Sequence, residues 1–364
     1  MPTRKLYKYR SLSHFLYKEL DYQELYFASC TELNDPLDLR TQVEFMLEDK
    51  EHISALTHFL FRESIVLSES GDETILSNTR KVVAFCQDRP KMDNFEKELA
   101  ERFTKAGKDG GFIYEDQARA LTMEMVKKQH FDFKLHVNAC FDRINQLIKR
   151  FLLNSYTSCF SSDPLAFLMW SHYAGSHYGI CLEFTLTKNG KFPFEEMGRR
   201  KFLEGGYGRD LAKGQIETIS YGENIWPVNY HDEERCINFF DFAPVFLNPD
   251  DIDLQQLSKS RWHGFADHLQ NVFATKKKTW EYENEWRIIE VNFAGEKQPE
   301  ERIRHYPIEA LTGIYFGTNT PERDKKRIYK LMKNKGHLLN YWECKLSNSQ
   351  KLISQPWEVP DEWE

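Results

Sequence analysis

The stretch Thr279–Val291, T-W-E-Y-E-N-E-W-R-I-I-E-V, sets the hardest condition on any fold this chain can adopt. It crowds Glu281, Glu283 and Glu285 between Trp280, Tyr282 and Trp286, then enters the β-favouring Ile288, Ile289 and Val291. Alternate side chains of a strand share a face, so in a strand all three carboxylates and Arg287 point one way. A helix is also open, since Glu281 and Glu285 are four apart. Like charges side by side repel unless a cation, a hydroxyl or water takes them up. Acids set among rings suit a site that stabilises positive charge on a bound ring. The acids are read as the mouth of a strand beginning near Glu285, with the rest of the chain as the wall around them.

The chain has room for such a wall. Its 364 residues can bury a full core, as one large domain or two smaller ones. At 41% hydrophobic and 29% charged residues it reads as soluble and globular. The net charge of −7 gives no bulk attraction for phosphate backbones, which argues against a dedicated nucleic-acid binder. Lys276–Lys278 is a local basic patch that keeps nucleic acid open as a partner. The seven cysteines form no Cys-x-x-Cys pair, so neither a zinc site nor a disulfide framework is indicated, and a cytoplasmic location fits reduced thiols. Met1–Arg10 lacks the apolar core of a signal peptide, and no run is apolar enough to span a bilayer, so no membrane is expected.

Along the chain, Leu6–Arg10 reads as a strand and Ser11 or Ser13 as the cap of a helix to about Leu20. Glu24–Ser29 is a second strand that ends in the turn signal Asn34-Asp35-Pro36. Residues 48–153 carry helical periods, as in Ala118–Val126 and Asn138–Leu152, and read as a helical insertion between 1–47 and 154–364. Ser155–Phe160 returns to strand, Asp163-Pro164 opens a helix Leu165–Tyr173 that Gly175 stops, and Tyr178–Phe184 is a buried strand. Further strands are expected at Ile216–Tyr221, Trp226–Tyr230, Glu285–Val291, Gly313–Phe316 and Leu338–Cys344. Helices are expected at Glu233–Phe240, Ile252–Lys277 and Pro321–Lys333. The implied class is α+β, a curved, mostly antiparallel sheet core with a helical insertion.

Three segments are candidates for chemistry: the acids at 281–285, the N-D-P turn, and W-S-H-Y-A-G-S-H-Y-G at 170–179. The last gathers rings and hydroxyls, and His172 and Tyr173 are its candidates to face a ligand. His172 and His177 lack the spacing of a metal pair, and no metal is expected. The chain has no G-x-S-x-G elbow, no P-loop and no G-x-G-x-x-G. Gly205-Gly206-Tyr207-Gly208 is glycine-rich without a clear strand before it.

Taken together, L-Y-K-Y-R-S-L, L-Y-F-A-S with L-N-D-P, M-W-S-H-Y-A-G-S-H-Y-G-I-C-L-E-F and W-E-Y-E-N-E-W-R resemble the bacterial domain-of-unknown-function family 2971, which assigns no activity. More distantly, a short strand, then L-Y-F-A-S, then a late strand opening N-E-W is similar to the ADP-ribosyltransferase fold. That resemblance implies NAD as substrate, Tyr26 stacked on the nicotinamide, Glu285 as the catalytic acid and Glu283 as the first acid of a Glu-x-Glu. It places Tyr9-Arg10 where one branch of the fold carries histidine, with Arg10 following the toxin branch. It implies a transferase or NAD glycohydrolase with an unknown macromolecular acceptor, and a toxin or phage-defence effector with a neutralising protein partner. Two other readings compete. One is a non-catalytic nucleotide or peptide binder with a groove of Trp170, Tyr173, Trp280 and Trp286. The other is a magnesium nuclease using Asp35, Glu183 and the glutamates.

Overall fold

The computed structural model describes residues 4–38, 42–47, 52–54, 56, 57, 60, 73–107, 112–128, 134–194, 225–232, 236–240, 272–291 and 296–363. The chain is a mixed α and β protein with a curled, mostly antiparallel sheet. It divides into two compact units: Met1–Leu39, Phe151–Glu233 and Phe273–Glu364 form the first, Arg40–Arg150 and Glu234–Val272 the second.

The described strands in chain order are β1 (Lys5–Arg10), β2 (Glu24–Tyr26), β3 (Ala28–Ser29), β4 (Gln42–Met46), β5 (Phe112–Tyr114), β6 (Ser155–Ser161), β7 (Ile180–Thr185) and β8 (Ile225–Pro227), followed by β9 (Asn229–His231), β10 (Cys236–Asn238), β11 (Thr275–Lys277), β12 (Glu285–Val291), β13 (Ile303–His305), β14 (Leu311–Phe316), β15 (Asn340–Leu346) and β16 (Leu352–Pro356). The described helices are α1 (His14–Tyr22), α2 (Glu73–Gln87), α3 (Arg89–Ala106), α4 (Glu115–Lys127), α5 (Lys134–Leu153), α6 (Phe167–Tyr173) and α7 (Glu322–Asn334).

In the first unit the main sheet runs β16-β15-β14-β7-β1-β6-β12-β8, with β3 also on β6, and only β14 and β15 pair in parallel within it. Alternation sorts its side chains into two layers. Leu6, Phe160, Ile180, Leu182, Phe184, Ile288, Ile314 and Phe316 pack on one face against Leu16 and Leu20 of α1 and Ile328 and Met332 of α7. Their neighbours Tyr9, Cys181 and Tyr315 point the other way, against Met169 and Trp170 of α6. We refer to these as the apolar and the polar face. Fully burying one such Leu or Ile is worth about 1.5–3 kcal/mol, so this alternation anchors the register.

The second unit pairs β4 with β10 in parallel and with β5 antiparallel. Its helices bury Leu99 and Phe103 of α3 and Met125 and Val126 of α4.

Several expected elements fall elsewhere. Glu24–Ser29 is two strands: β2 pairs with β13, a ladder that the Phe27 amide continues by donating to the Arg302 carbonyl (2.9 Å), and β3 pairs with β6. Cys236–Asn238 is a strand where the periodicity suggested a helix, since pairing with β4 overrides local propensity. Thr275–Lys277 is likewise a strand, paired in parallel with β9, not a helix end. Ser13 caps α1 by accepting from the Leu16 amide (3.3 Å). Asp163 spends its carboxylate on the Leu165 amide (2.8 Å), so α6 starts at Phe167. The strand expected at Ile216–Tyr221, most of the helix expected at Ile252–Lys277 and the Gly205–Gly208 run lie outside the described residues.

Candidate functional site

The acid-rich stretch is not one strand. Lys278–Glu283 winds as a 3-10 helix, Asn284 takes a left-handed conformation (φ 46°), and β12 starts at Glu285. Asparagine is among the few residues that occupy that region readily. The turn changes what the acids face. Glu281 is exposed, while Glu283 and Glu285 are 2% and 4% exposed. Glu285 and Arg287, two apart in β12, share the polar face of the sheet.

Arg287 is the centre of this cluster. Its Nε donates to Glu285 Oε1 (2.6 Å), one terminal nitrogen to Asp38 Oδ1 (2.7 Å) and the Phe273 carbonyl (2.8 Å), and the other to Asp38 Oδ2 (2.6 Å) and Glu285 Oε2 (3.0 Å). The five guanidinium N–H groups are all used, and both carboxylates are held bidentately. Lys276 of β11 reaches in from the side. Its Nζ donates to Glu283 Oε2 (2.6 Å) and Glu285 Oε2 (3.2 Å), lies 3.7 Å from Asp38 Oδ2, and sits 4.6 Å from the centre of the Trp280 ring. The Tyr230 hydroxyl accepts from the Glu285 amide (2.8 Å).

Tyr173, at the end of α6, donates to Glu283 Oε1 (2.5 Å), with Asn34 beside the same hydroxyl. Tyr173, Trp280 and Tyr282 are half-buried and Asn34 and His172 are exposed, so these residues form the solvent side of the cluster. His172, Tyr282 and Trp280 follow one another at ring distances of 6.1 Å.

The two acids differ in proton affinity. Burial pushes the Glu285 carboxyl up, but the Arg287 and Lys276 charges outweigh it and hold the group well below the usual carboxylate range. Glu283 has no arginine. Burial pushes it up to about 7 against the pull of Lys276, and the Glu285 charge adds to the rise. Lys276 is held above its ordinary range, because Glu285 and Glu283 outweigh its own burial. Burial, with the Glu283 charge beside it, likewise raises the Tyr173 phenol. The cluster thus pairs one acid held toward its ionised form with one whose affinity for a proton is raised.

Three segments singled out in the sequence meet here: Asn34 from the N-D-P turn, Tyr173 from W-S-H-Y, and Glu283, Glu285 and Arg287 from the acid stretch. Asp38 and Lys276 carried no site signal. Asp38 stands beyond its proline turn, and Lys276 looked like one of a surface basic run.

Other expected site residues lie apart. Arg10 pairs in register with Ile180, so its side chain leaves the sheet on the apolar-face side, where it bonds Glu19 of α1 (2.7 Å). Tyr9 lies on the polar face, but its hydroxyl donates to the Asp163 carbonyl (2.6 Å) and its ring packs edge-on against Trp170. Tyr26 donates to Glu32 (2.9 Å), and its ring lies 5.4 Å from the Arg302 guanidinium. The expected gathering of Arg10, Tyr26 and Glu285 is therefore not formed, because strand alternation puts Arg10 on the other face and the pairing of β2 with β13 carries Tyr26 elsewhere.

The aromatic groove does not form either. Trp170 is fully buried, and Trp286 lies on the apolar side of the sheet under Arg4 (3.8 Å). Asp35 is engaged in its own turn, accepting from the Leu37 amide (2.9 Å). Among the described residues no three His, Cys, Asp or Glu side chains are grouped to hold a metal ion, and Lys276 and Arg287 already occupy the space between the carboxylates. No helix of the described residues is long and apolar enough to cross a membrane.

Compared with known families, residues 169–288 match the model described as "Protein of unknown function (DUF2971)". That segment holds Tyr173, Lys276, Glu283, Glu285 and Arg287 of the cluster. No curated protein and no solved structure matches the chain.

Proposed function

We propose an ADP-ribosyltransferase-like activity on NAD, with water or an unidentified macromolecule as acceptor, for this chain, whose residues 169–288 match the DUF2971 model. The observation that supports it most is Glu283, a buried acid of near-neutral pKa at the edge of a fixed ion cluster, bonded to half-buried Tyr173. The reading moves the working acid from Glu285 to Glu283. It drops Arg10 and Tyr26 and puts Tyr173 and Lys276 in the site.

In this reaction the bond between nicotinamide nitrogen and ribose breaks, and both electrons leave with the nicotinamide as a neutral ring. The ribose is left with oxocarbenium character, which a nearby carboxylate stabilises as in glycoside cleavage. Glu283 in its ionised form supplies that charge. It then accepts the proton of the attacking water or acceptor hydroxyl, work that a group with pKa near 7 does well. Glu285 stays ionised throughout and, with Arg287 and Asp38, fixes Lys276 and hence the Glu283 carboxylate. Tyr173 orients the other carboxylate oxygen.

The test is nicotinamide release from NAD by the purified chain. Glu283→Gln is expected to lower the rate by about a hundred-fold or more while the protein stays folded. A wild-type protein that neither binds NAD nor releases nicotinamide ends this reading.

A further inference from the structure

The polar face carries a second buried carboxylate, in line with the first. Strand pairing sets Gly313, Glu183, Tyr7, Ser161 and Glu285 on one row across β14, β7, β1, β6 and β12. Directly paired residues share a face, so Glu183 and Glu285 point the same way, three strand spacings or about 14 Å apart. Between them the row carries only Tyr7 and Ser161.

Glu183 is 1% exposed, and its two oxygens are unequally served. Oε1 accepts from Lys5 Nζ (2.8 Å) and Thr312 Oγ1 (2.9 Å). Among the described residues Oε2 receives only the long contacts of the Tyr7 and Tyr315 hydroxyls, 3.4 and 3.3 Å. Beside it, Trp342 stacks on Tyr315 (5.8 Å, 15°), and its buried indole N–H has no partner among the described residues. A buried carboxylate oxygen short of donors and a buried donor without an acceptor flank the same tyrosine ring. A hydroxyl satisfies both, because it donates and accepts at once. Lys5, about half exposed, and half-buried Tyr7 stand at the open side. Gly313 keeps the floor low, since a Cβ there would approach Glu183 Oε1 to 3.3 Å.

We infer that Glu183, with Tyr7, Tyr315 and Trp342, forms a distal subsite for a hydroxyl-bearing sugar ring, so that the substrate is a two-sugar molecule laid along the row with its labile bond at Glu283. This rests on the glycoside-cleaving reading of the Glu283 site and extends it to substrate length.

The experiment compares kcat/KM for nicotinamide release from NAD and from nicotinamide mononucleotide, which lacks the second ribose. The wild-type chain is expected to prefer NAD by tenfold or more, and Glu183→Gln and Trp342→Phe each to erase most of that preference while changing the mononucleotide rate less than about twofold. Trp342→Phe keeps an aromatic ring against Tyr315 but removes the indole N–H together with its five-membered ring; with its melting temperature checked alongside, it decides the matter if Glu183→Gln does not fold. Equal loss on both substrates, or an unchanged preference, overturns the distal subsite and leaves the Glu283 reading standing. Release from neither substrate overturns both.

Discussion

Two buried lysines of the first unit, Lys8 and Lys276, face opposite sides of the sheet and respond oppositely. Lys8 points among the apolar side chains. Among the described residues it donates only to neutral oxygens, Ser158 Oγ and the Cys159 carbonyl, both at 2.9 Å, and burial with the Arg10 charge lowers its pKa to about 7. Lys276 is as deeply buried on the other side but meets three carboxylates, and is held above its ordinary range. Burial alone therefore does not decide the charge of a group; the neighbours do. The polar face assembles charges that compensate one another, whereas Lys8 on the apolar face, bonded to neutral oxygens, gives up its proton more readily.

This contrast breaks most readily at Arg287. Replacing it by methionine leaves Asp38 and Glu285 buried without their main counter-charge, and the expected loss is about 3–5 kcal/mol in a denaturant titration. A loss under about 1 kcal/mol would mean that the cluster is wet and its charges screened.

Lys8→Met sharpens the contrast from the other side. In the wild-type chain the unfolded state holds the Lys8 proton up to its ordinary 10.5 while the folded state releases it near 7, so stability rises with pH between those values. The methionine variant is expected to be more stable at pH 7 and to lose that slope. A slope that survives the substitution assigns it to another group.

Glu283 acts with the opposite sign. Its folded pKa lies above its ordinary 4.5, at about 7, so its contribution is fully present below 4.5 and is lost as pH rises through 7. Glu283→Gln is expected to flatten that decline, read from melting temperatures across the range.

The smallest effect belongs to Arg10→Ala. Its partner Glu19 lies on the helix side and both are partly exposed, so about 1 kcal/mol or less is expected, with nicotinamide release unchanged. A large loss of turnover would return Arg10 to the site.

Much of this arrangement was legible in the residues. Alternation placed β1, β6, β7, β12 and β14 to within a residue or two at most ends, and it put Glu285 and Arg287 on one face. The three segments singled out for their chemistry do converge. What escaped was set by contacts remote in sequence. No local pattern shows that Asp38 meets Arg287, that Lys276 turns inward to Glu283 and Glu285, or that Glu24–Tyr26 pairs with β13 while Ala28–Ser29 joins β6. The 3-10 turn at 278–283 also escaped, because Glu-Tyr-Glu-Asn-Glu alternates as a strand would.

The account depends on Glu283 being the carboxyl that titrates near neutrality while Glu285 does not. Carbon NMR of the glutamate carboxyl groups across pH, in wild type and in Glu283→Gln, measures this directly. One carboxyl titrating with a midpoint near 7 in the wild type and missing from the variant is the expected result. No carboxyl titrating between about pH 6 and 8, or one that persists in the variant, contradicts it.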